Sequence, residues 1–321
     1  MSRCLICLGD IEPAADTTYH GRCVRQLFGT ATVPAIDLEM AKLHTVALAM
    51  VWRVSLSGIQ RKISLGLTTD RRTLQVAVGR HRYILKPQTD VYPALPENEH
   101  VTMKIAQLVG IDVPPCGLVR LRDGSVAFIT ERFDRPREGG KLRQEDFCQL
   151  AEKPPKDKYD GSGELCARLV RKYASEPGIE IWRLYRLLLC SWWSGNGDMH
   201  LKNFSLLADR DGRHQLSPAY DLLATRLVIP DDPLALPIGG KRDGLVADDW
   251  RRFAEYCRLP ERAALRIHRE IIGATDGAMS LLTRSMLPDD LKEAYRAVLR
   301  ERTGVLQAER EAHRPTPDTV V

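Results

Sequence analysis

The chain has 321 residues, 44% hydrophobic and 28% charged, with a formal net charge of +5. This is the balance of a soluble globular protein, with enough chain for two lobes. The basic residues are scattered, without the Lys/Arg block of a nucleic-acid-gripping arm, and no apolar run approaches the ~20 residues of a membrane helix.

The opening "MSRCLICLGDIEP" has acids and a proline too early for a signal peptide, so a cytoplasmic location is expected. Residues 1–30 form a Cys-rich segment. Cys4, Cys7, His20 and Cys23 give C-x2-C-x12-H-x2-C, two close ligand pairs that can turn back on one tetrahedral zinc ion. The competing reading is a hairpin with reduced cysteines and a surface histidine. Cys116, Cys148, Cys190 and Cys257 stand singly in apolar surroundings and read as core thiols.

Residues 31–134 read as a small β-rich lobe. A helix is expected over 33–52. The strand-like segments "KISLGL", "TLQVAVG" and "RYILK" follow, separated by breakers that suggest antiparallel hairpins. "ENEHVTMKIAQLVG" has helical apolar spacing and ends on Gly110. "CGLVRL" and "VAFITERFD" form a further hairpin. Residues 135–313 read as a helical lobe with a polar loop over 152–163, and residues 314–321 as a disordered tail.

Within the helical lobe, residues 179–194 should be a helix buried almost all round. It runs into "GNGDMHLKNFSLL" (195–207), where Asp198, His200, Lys202 and Asn203 crowd six positions between two apolar runs. A strand, an Asp-Gly turn and a second strand then end at Asp221. Helix, polar loop, hairpin and Asp is the order in which a protein kinase presents its catalytic parts, and Asp198 and Asn203 have the D-x-x-x-x-N spacing. The chemistry fits the residue types. Phosphoryl transfer needs a carboxylate near the acceptor hydroxyl, here Asp198, and oxygen ligands for Mg²⁺, here Asn203 and Asp221. Lys86 on a strand supplies an ammonium for the other phosphates, and Glu97 or Glu99 can pair with it. His200 or Lys202 can sit against the transferred group.

On these pieces the chain resembles the HipA family of bacterial Ser/Thr kinases, toxins of toxin–antitoxin systems. The matching segments are "SLSGIQRKISL", "YILKP", "ENEHVTMKIAQLVGIDVP", "ERFDR", "QEDFCQ", "NGDMHLKNFSLL" and "PAYDLLAT", in family order across residues 53–225. The resemblance implies an α+β, bilobal protein-kinase-like fold, with a small β-rich N-lobe over a large helical C-lobe and ATP between them. It implies Asp198 as the catalytic aspartate and Asn203 and Asp221 as Mg²⁺ ligands. Nucleotide contacts would come from Ser57, Gly58, Gln60 and Lys62 of the phosphate-covering loop, from Lys86, and from Glu131 and Phe133 at a hinge. His200, Lys202, Asn203, Tyr220 and Asp221 would complete the ATP site. Ser55 and Ser57 would be autophosphorylation sites, and the loop "PPKDKYDGSG" a seat for substrate.

The family also implies partners: a protein substrate such as an aminoacyl-tRNA synthetase, and a DNA-binding antitoxin of HipB type through which DNA would be contacted. The Cys-rich start replaces the small domain of longer HipA proteins. In this the chain is more like the shortened HipT, which has a separate small HipS-like partner. The phosphate loop departs from G-x-G-x-x-G, having only Gly58. Two other readings stand beside this one: an aminoglycoside-type small-molecule phosphotransferase, and a zinc-bearing co-repressor with a catalytically dead kinase fold.

Overall fold

A computed structural model of the chain describes residues 2–12, 17–36, 38, 62–76 and 81–312, the last four by backbone alone. Most of the expected helix over 33–52 lies outside the described residues, as do Ser55, Ser57, Gly58, Gln60 and the tail 314–321.

Among the described residues, six strands form the N-terminal sheet: β1 (Ala35–Ile36), β2 (Ile63–Leu67), β3 (Thr73–Val76), β4 (Tyr83–Pro87), β5 (Cys116–Arg120) and β6 (Val126–Glu131). Their order is β1-β3-β2-β4-β6-β5, antiparallel except for the parallel β1–β3 edge. The expected hairpins therefore form. The expected helix start does not, because Ala35 and Ile36 are extended. The Ala35 N–H donates to the Arg72 carbonyl at 2.8 Å and Ile36 is buried, so pairing with β3 overrides the local helical pattern.

Alternation along the strands divides the sheet into two faces. Tyr83, Leu85, Ala127 and Ile129 pack on one face with Cys4, Ile6 and the helix α1 (Gly21–Phe28). Leu118 and Phe128 face the other way, into the core shared with the helical lobe and with α2 (Leu95–Leu108), the helix inserted between β4 and β5. Lys86 is paired opposite Phe128 on this second face. The strand thus carries a lysine into the space between the lobes without disturbing the apolar layer behind it.

The C-terminal lobe holds a small antiparallel sheet, β7 (Gln144–Asp146), β8 (Ser205–Ala208) and β9 (His214–Leu216), in that order. Around it lie α3 (Phe147–Leu150), α4 (Gly163–Tyr173), α5 (Pro177–Trp193), α6 (Ala247–Tyr256), α7 (Glu261–Gly273), α8 (Thr275–Arg284) and α9 (Asp289–Ala312). The helix α5 is buried on nearly every side. Leu184, Tyr185, Leu189 and Trp193 are inaccessible to solvent, and the Trp193 indole donates to the Thr303 hydroxyl at 2.8 Å. The four cysteines read as core thiols are buried, and Cys166 joins them.

Three histidines are buried as neutral rings. Burial lowers His100 and His200 to about 3 and His268 to about 4. For a base depressed in this way, the unfolded chain binds the extra proton. The stability it allows is complete above its unfolded value of ~6.5 and is lost as the pH falls below that. Burial raises Glu97, and raises Glu99 to about 7, and these two act in the opposite sense. Unfolding free energy from urea titration is therefore expected to fall between pH 6.5 and 5, with a net uptake of about one to two protons. A profile that rises toward pH 5 would contradict neutral burial of the three rings.

Candidate active site

The chain leaves α5 at Ser194 and Gly195 and enters a loop in which most backbone N–H groups have a partner. The Gly197 N–H donates to the Thr225 hydroxyl at 2.7 Å, and the Gly197 carbonyl accepts from the Ala235 N–H at 2.7 Å. A Cβ at Gly197 would lie 2.1 Å from Asp232 Oδ2 and 2.7 Å from the Pro233 carbonyl, so only glycine fits before Asp198. The Asp198 N–H is held by Asn196 Oδ1 at 3.1 Å. The Asp198 carbonyl accepts from the His200 N–H at 2.8 Å and from Asn203 Nδ2 at 2.9 Å. The five-residue spacing is therefore a closed turn, bridged by the Asn203 side chain. With its amide nitrogen committed to that carbonyl, Asn203 keeps Oδ1 as its acceptor.

Across the cleft, Lys86 is 3% exposed and makes ion pairs with Glu99 and, at 2.5 Å, with Asp221 Oδ1. The other Asp221 oxygen accepts from Lys62 at 2.6 Å. The two lysines hold the Asp221 carboxyl well below the usual carboxylate range despite its burial. Asp221 adopts a left-handed backbone (φ 56°), a conformation that Asp tolerates better than most side chains and that recurs at functional sites. Of the two candidate glutamates, Glu99 is the lysine's partner. Positions 97 and 99 are about 200° apart around a helix, so only one can face the strand.

The remaining expected site residues fall as follows. The His200 ring, 1% exposed, packs edge-on against Tyr159 with centroids 5.2 Å apart. Neither of its ring nitrogens has a hydrogen-bond partner among the described residues. Lys202 pairs with Asp146 at 2.6 Å, so its ammonium is directed to β7. Tyr220 donates to the Lys202 carbonyl at 2.9 Å, and its ring lies 5.6 Å from that of Phe133. The Glu131 carboxylate is engaged by Arg137 through both oxygens, at 2.8 and 2.9 Å.

Lys158 and Tyr159 were expected only as part of the loop "PPKDKYDGSG", a seat for substrate, and not as partners of Asp198. The Tyr159 hydroxyl donates to Asp198 Oδ1 at 2.8 Å. Lys158 is 9% exposed, with its ammonium 4.8 Å above the Tyr159 ring. Burial lowers its pKa against the pull of Asp198. Its carbonyl accepts from the Leu201 N–H at 3.0 Å, which pins the polar loop 152–163 to the turn that carries Asp198. The sequence signals were the loop's polar composition and its place in the family resemblance, and neither points to these two residues individually.

As donors, Asn203 Oδ1 and the Asp221 carboxylate are hard oxygens of the kind Mg²⁺ takes. Lys86 and Lys62 offer two ammonium groups beside them for phosphate oxygens. The N-terminal cluster has a different character. Ligand atoms of Cys4, Cys7, His20 and Cys23 lie within 4.8 Å of one another, a soft set of three sulfurs and one nitrogen.

A β-rich lobe over a helical lobe, with Lys86 paired to a helix glutamate and an Asp–Asn loop opposite, defines a protein-kinase-like fold. The family model described as the HipA-like C-terminal domain matches residues 54–279, and the chain belongs to that family. Y4mE of Sinorhizobium fredii, which carries a provisional kinase name, is 36% identical over 256 residues, 76% of this chain and 59% of Y4mE. The serine/threonine-protein kinase toxin HipA of Shewanella oneidensis is 28% identical over 250 residues, 68% of this chain and 56% of that protein. The chain thus spans little more than half the length of these relatives. Among solved structures, Shewanella oneidensis HipA in complex with HipB and operator DNA superimposes with a TM-score of 0.71 at 21% identity, over 86% of this chain and 74% of HipA. The Helicobacter pylori proinflammatory kinase CtkA gives 0.56 at 16% identity, over 80% of this chain and 93% of CtkA. No helix among the described residues is long and apolar enough to cross a membrane.

Proposed function

We propose that the chain is an ATP- and Mg²⁺-dependent protein serine/threonine kinase that acts as the growth-inhibiting toxin of a bacterial toxin–antitoxin system. The observation that carries this reading is the buried Lys86–Glu99–Asp221 network set across from the turn in which Asn203 ties to Asp198. In the proposed site Asp198 orients the acceptor hydroxyl and takes its proton. Asn203 and Asp221 hold Mg²⁺, which neutralises charge on the phosphates when bound. Lys86 and Lys62 contact phosphate oxygens, and the buried His200 ring, whose nitrogens have no hydrogen-bond partner among the described residues, offers a further contact. Ser57, Gly58 and Gln60 cover the phosphates, and Ser55 and Ser57 take autophosphorylation. Glu131, Phe133, Lys202 and Tyr220 complete the nucleotide pocket.

The name of the Shewanella relative and the HipB–DNA complex of its structure support a HipB-type antitoxin here. A HipS-like small protein is proposed as a further partner. The proposed substrate is a translation factor such as an aminoacyl-tRNA synthetase, and the proposed location is the cytoplasm. The test is incubation of purified chain with γ-labelled ATP and Mg²⁺, in parallel with bacterial extract and with an aminoglycoside panel. Label in protein, with a melting temperature raised by Mg²⁺–ATP, is expected. Label confined to the small molecules would replace this reading with the phosphotransferase one. Absence of any ATP-induced thermal shift would sink both.

A further inference from the structure

The N-terminal segment lies outside every role described above, yet it is built into the N-lobe. Cys4 and Cys7 flank a tight turn. The Cys4 carbonyl accepts from the Leu8 N–H at 2.9 Å, the Cys4 N–H donates to the Gly9 carbonyl at 2.9 Å, and Leu8 is left-handed (φ 61°). His20 and Cys23 sit at the start of α1, where the Cys23 N–H donates to the His20 carbonyl at 3.0 Å. His20 Nδ1 is 3.2 Å from Cys7 Sγ and 3.9 Å from Cys23 Sγ. On the far side of the ring, His20 Nε2 is 2.9 Å from the Asp10 carbonyl. A carbonyl only accepts, so the proton is on Nε2 and the Nδ1 lone pair points at the thiols. That is the outer hydrogen bond which orients a metal-bound histidine. All three thiols are free, and Cys4 and Cys23 are buried. Sulfurs bound to one tetrahedral zinc at ~2.3 Å stand about 3.8 Å apart, and the four ligand atoms already lie within 4.8 Å of one another.

What this cluster holds in place is specific. Leu5 and Ile6 are the two residues between Cys4 and Cys7. The Leu5 carbonyl accepts from the Leu118 N–H at 2.8 Å. Ile6 lies so close to β5 that a Cβ on Gly117 would be 2.8 Å from its Cγ1. The Ile6 carbonyl accepts from His100 Nε2 at 3.0 Å. His100 is buried and adjoins Glu99, the partner of Lys86. At the other end, the carbonyls of Gln26 and Leu27 in α1 accept from Arg137, the residue that grips Glu131.

We infer that Cys4, Cys7, His20 and Cys23 bind one Zn²⁺ ion, and that this zinc-closed turn positions α2, and with it Glu99, through the Ile6 carbonyl and His100. Binding is not a redox step. Three thiol protons go to solvent as the thiolates and neutral His20 take the ion. His100 is a positioning residue, acting on the Lys86–Glu99 pair through the helix it belongs to. Zinc binding is independent of the kinase reading, and its readouts involve no phosphoryl transfer.

The test uses the full chain purified without chelator or added metal. About one zinc per chain is expected, and Co²⁺ exchanged into the site should show the thiolate charge-transfer and ligand-field bands of a tetrahedral centre with three sulfur ligands and one nitrogen. Removal of zinc by a chelator should speed amide exchange in α2 (95–108) by about tenfold, with recovery on adding Zn²⁺ and not Mg²⁺. Cys7→His, which keeps a ligand, should retain metal, whereas Cys7→Ala should lose it. His100→Phe should keep zinc and show the same faster exchange in α2. Reduced protein without zinc that also rejects Co²⁺ would overturn the site. Zinc-loaded protein in which α2 exchange ignores both chelation and His100→Phe would overturn the coupling.

Discussion

Asp198→Asn is expected to lower phosphoryl transfer about 10³-fold, the scale of losing a positioned general base, while leaving thermal stability nearly unchanged. The separation of the two effects follows from which atoms of Asp198 do what. The turn is held by its backbone, because the carbonyl, not the side chain, accepts from His200 and Asn203. An asparagine keeps both of those bonds and retains Oδ1 to accept from the Tyr159 hydroxyl. It loses the capacity to take a proton. The melting temperature should therefore fall by no more than a few degrees, since what is lost is the carboxylate's attraction for Lys158 and not the bonds that hold the turn. Mg²⁺–ATP should still raise the melting temperature of the variant. Single-turnover assays with labelled ATP give the rate. A variant within tenfold of the parent chain would remove Asp198 from the chemistry, and an unfolded one would show that the turn depends on its charge.

The parts of the site legible in the sequence are those whose geometry is local. Asp198 and Asn203 are five apart in one loop, and Asp221 ends the hairpin that follows, so spacing and order placed them. Lys86 and its helix could be paired in outline. Choosing Glu99 over Glu97 required the phase of α2 relative to β4, which residue types alone do not supply. The loop holding Lys158 and Tyr159 was expected to seat substrate, but their approach to Asp198 was missed for a different reason. They reach Asp198 from a loop about forty positions earlier, and a lysine-rich polar loop has the same composition whether it is solvated or folded onto a catalytic turn. The strand at Ala35–Ile36 was hidden likewise. Its pairing depends on the Thr73–Leu74 edge, while its own residues continue a helical pattern. The partner that immobilises Lys202, Asp146, came from a short strand the sequence reading did not separate from the helical region.

Lys86→Met is expected to destabilise the chain by about 3–5 kcal/mol, the cost of breaking a buried ion pair by removing one partner, and to abolish the thermal shift produced by Mg²⁺–ATP. Lys86 is the buried cation between Glu99, which is nearly inaccessible, and Asp221, whose side chain is 9% exposed. Asp221 would keep Lys62, but Lys62 is much more exposed and its pairing is correspondingly screened. Glu99 would have no other ion pair among the described residues. Its carboxyl already lies at about 7, with burial raising it and Lys86 holding it down. Without the lysine it rises further. A carboxyl raised in the folded state binds its proton there before the unfolded chain does, so the variant gains stability as the pH falls through that raised value. The parent chain, governed by its three buried histidines, loses stability on further acidification toward pH 5. Urea titrations at pH 8 and pH 6.5 should therefore show the deficit of Lys86→Met shrinking at the lower pH. A second substitution separates structure from chemistry. Glu99→Gln in the Lys86→Met background removes the orphaned charge and should recover more than half of the lost stability, while nucleotide binding stays absent. If the single variant is as stable as the parent, or if Glu99→Gln brings no recovery, the buried pair does not dominate the energetics of this cleft. If the double variant regains the Mg²⁺–ATP shift, Lys86 does not hold phosphate.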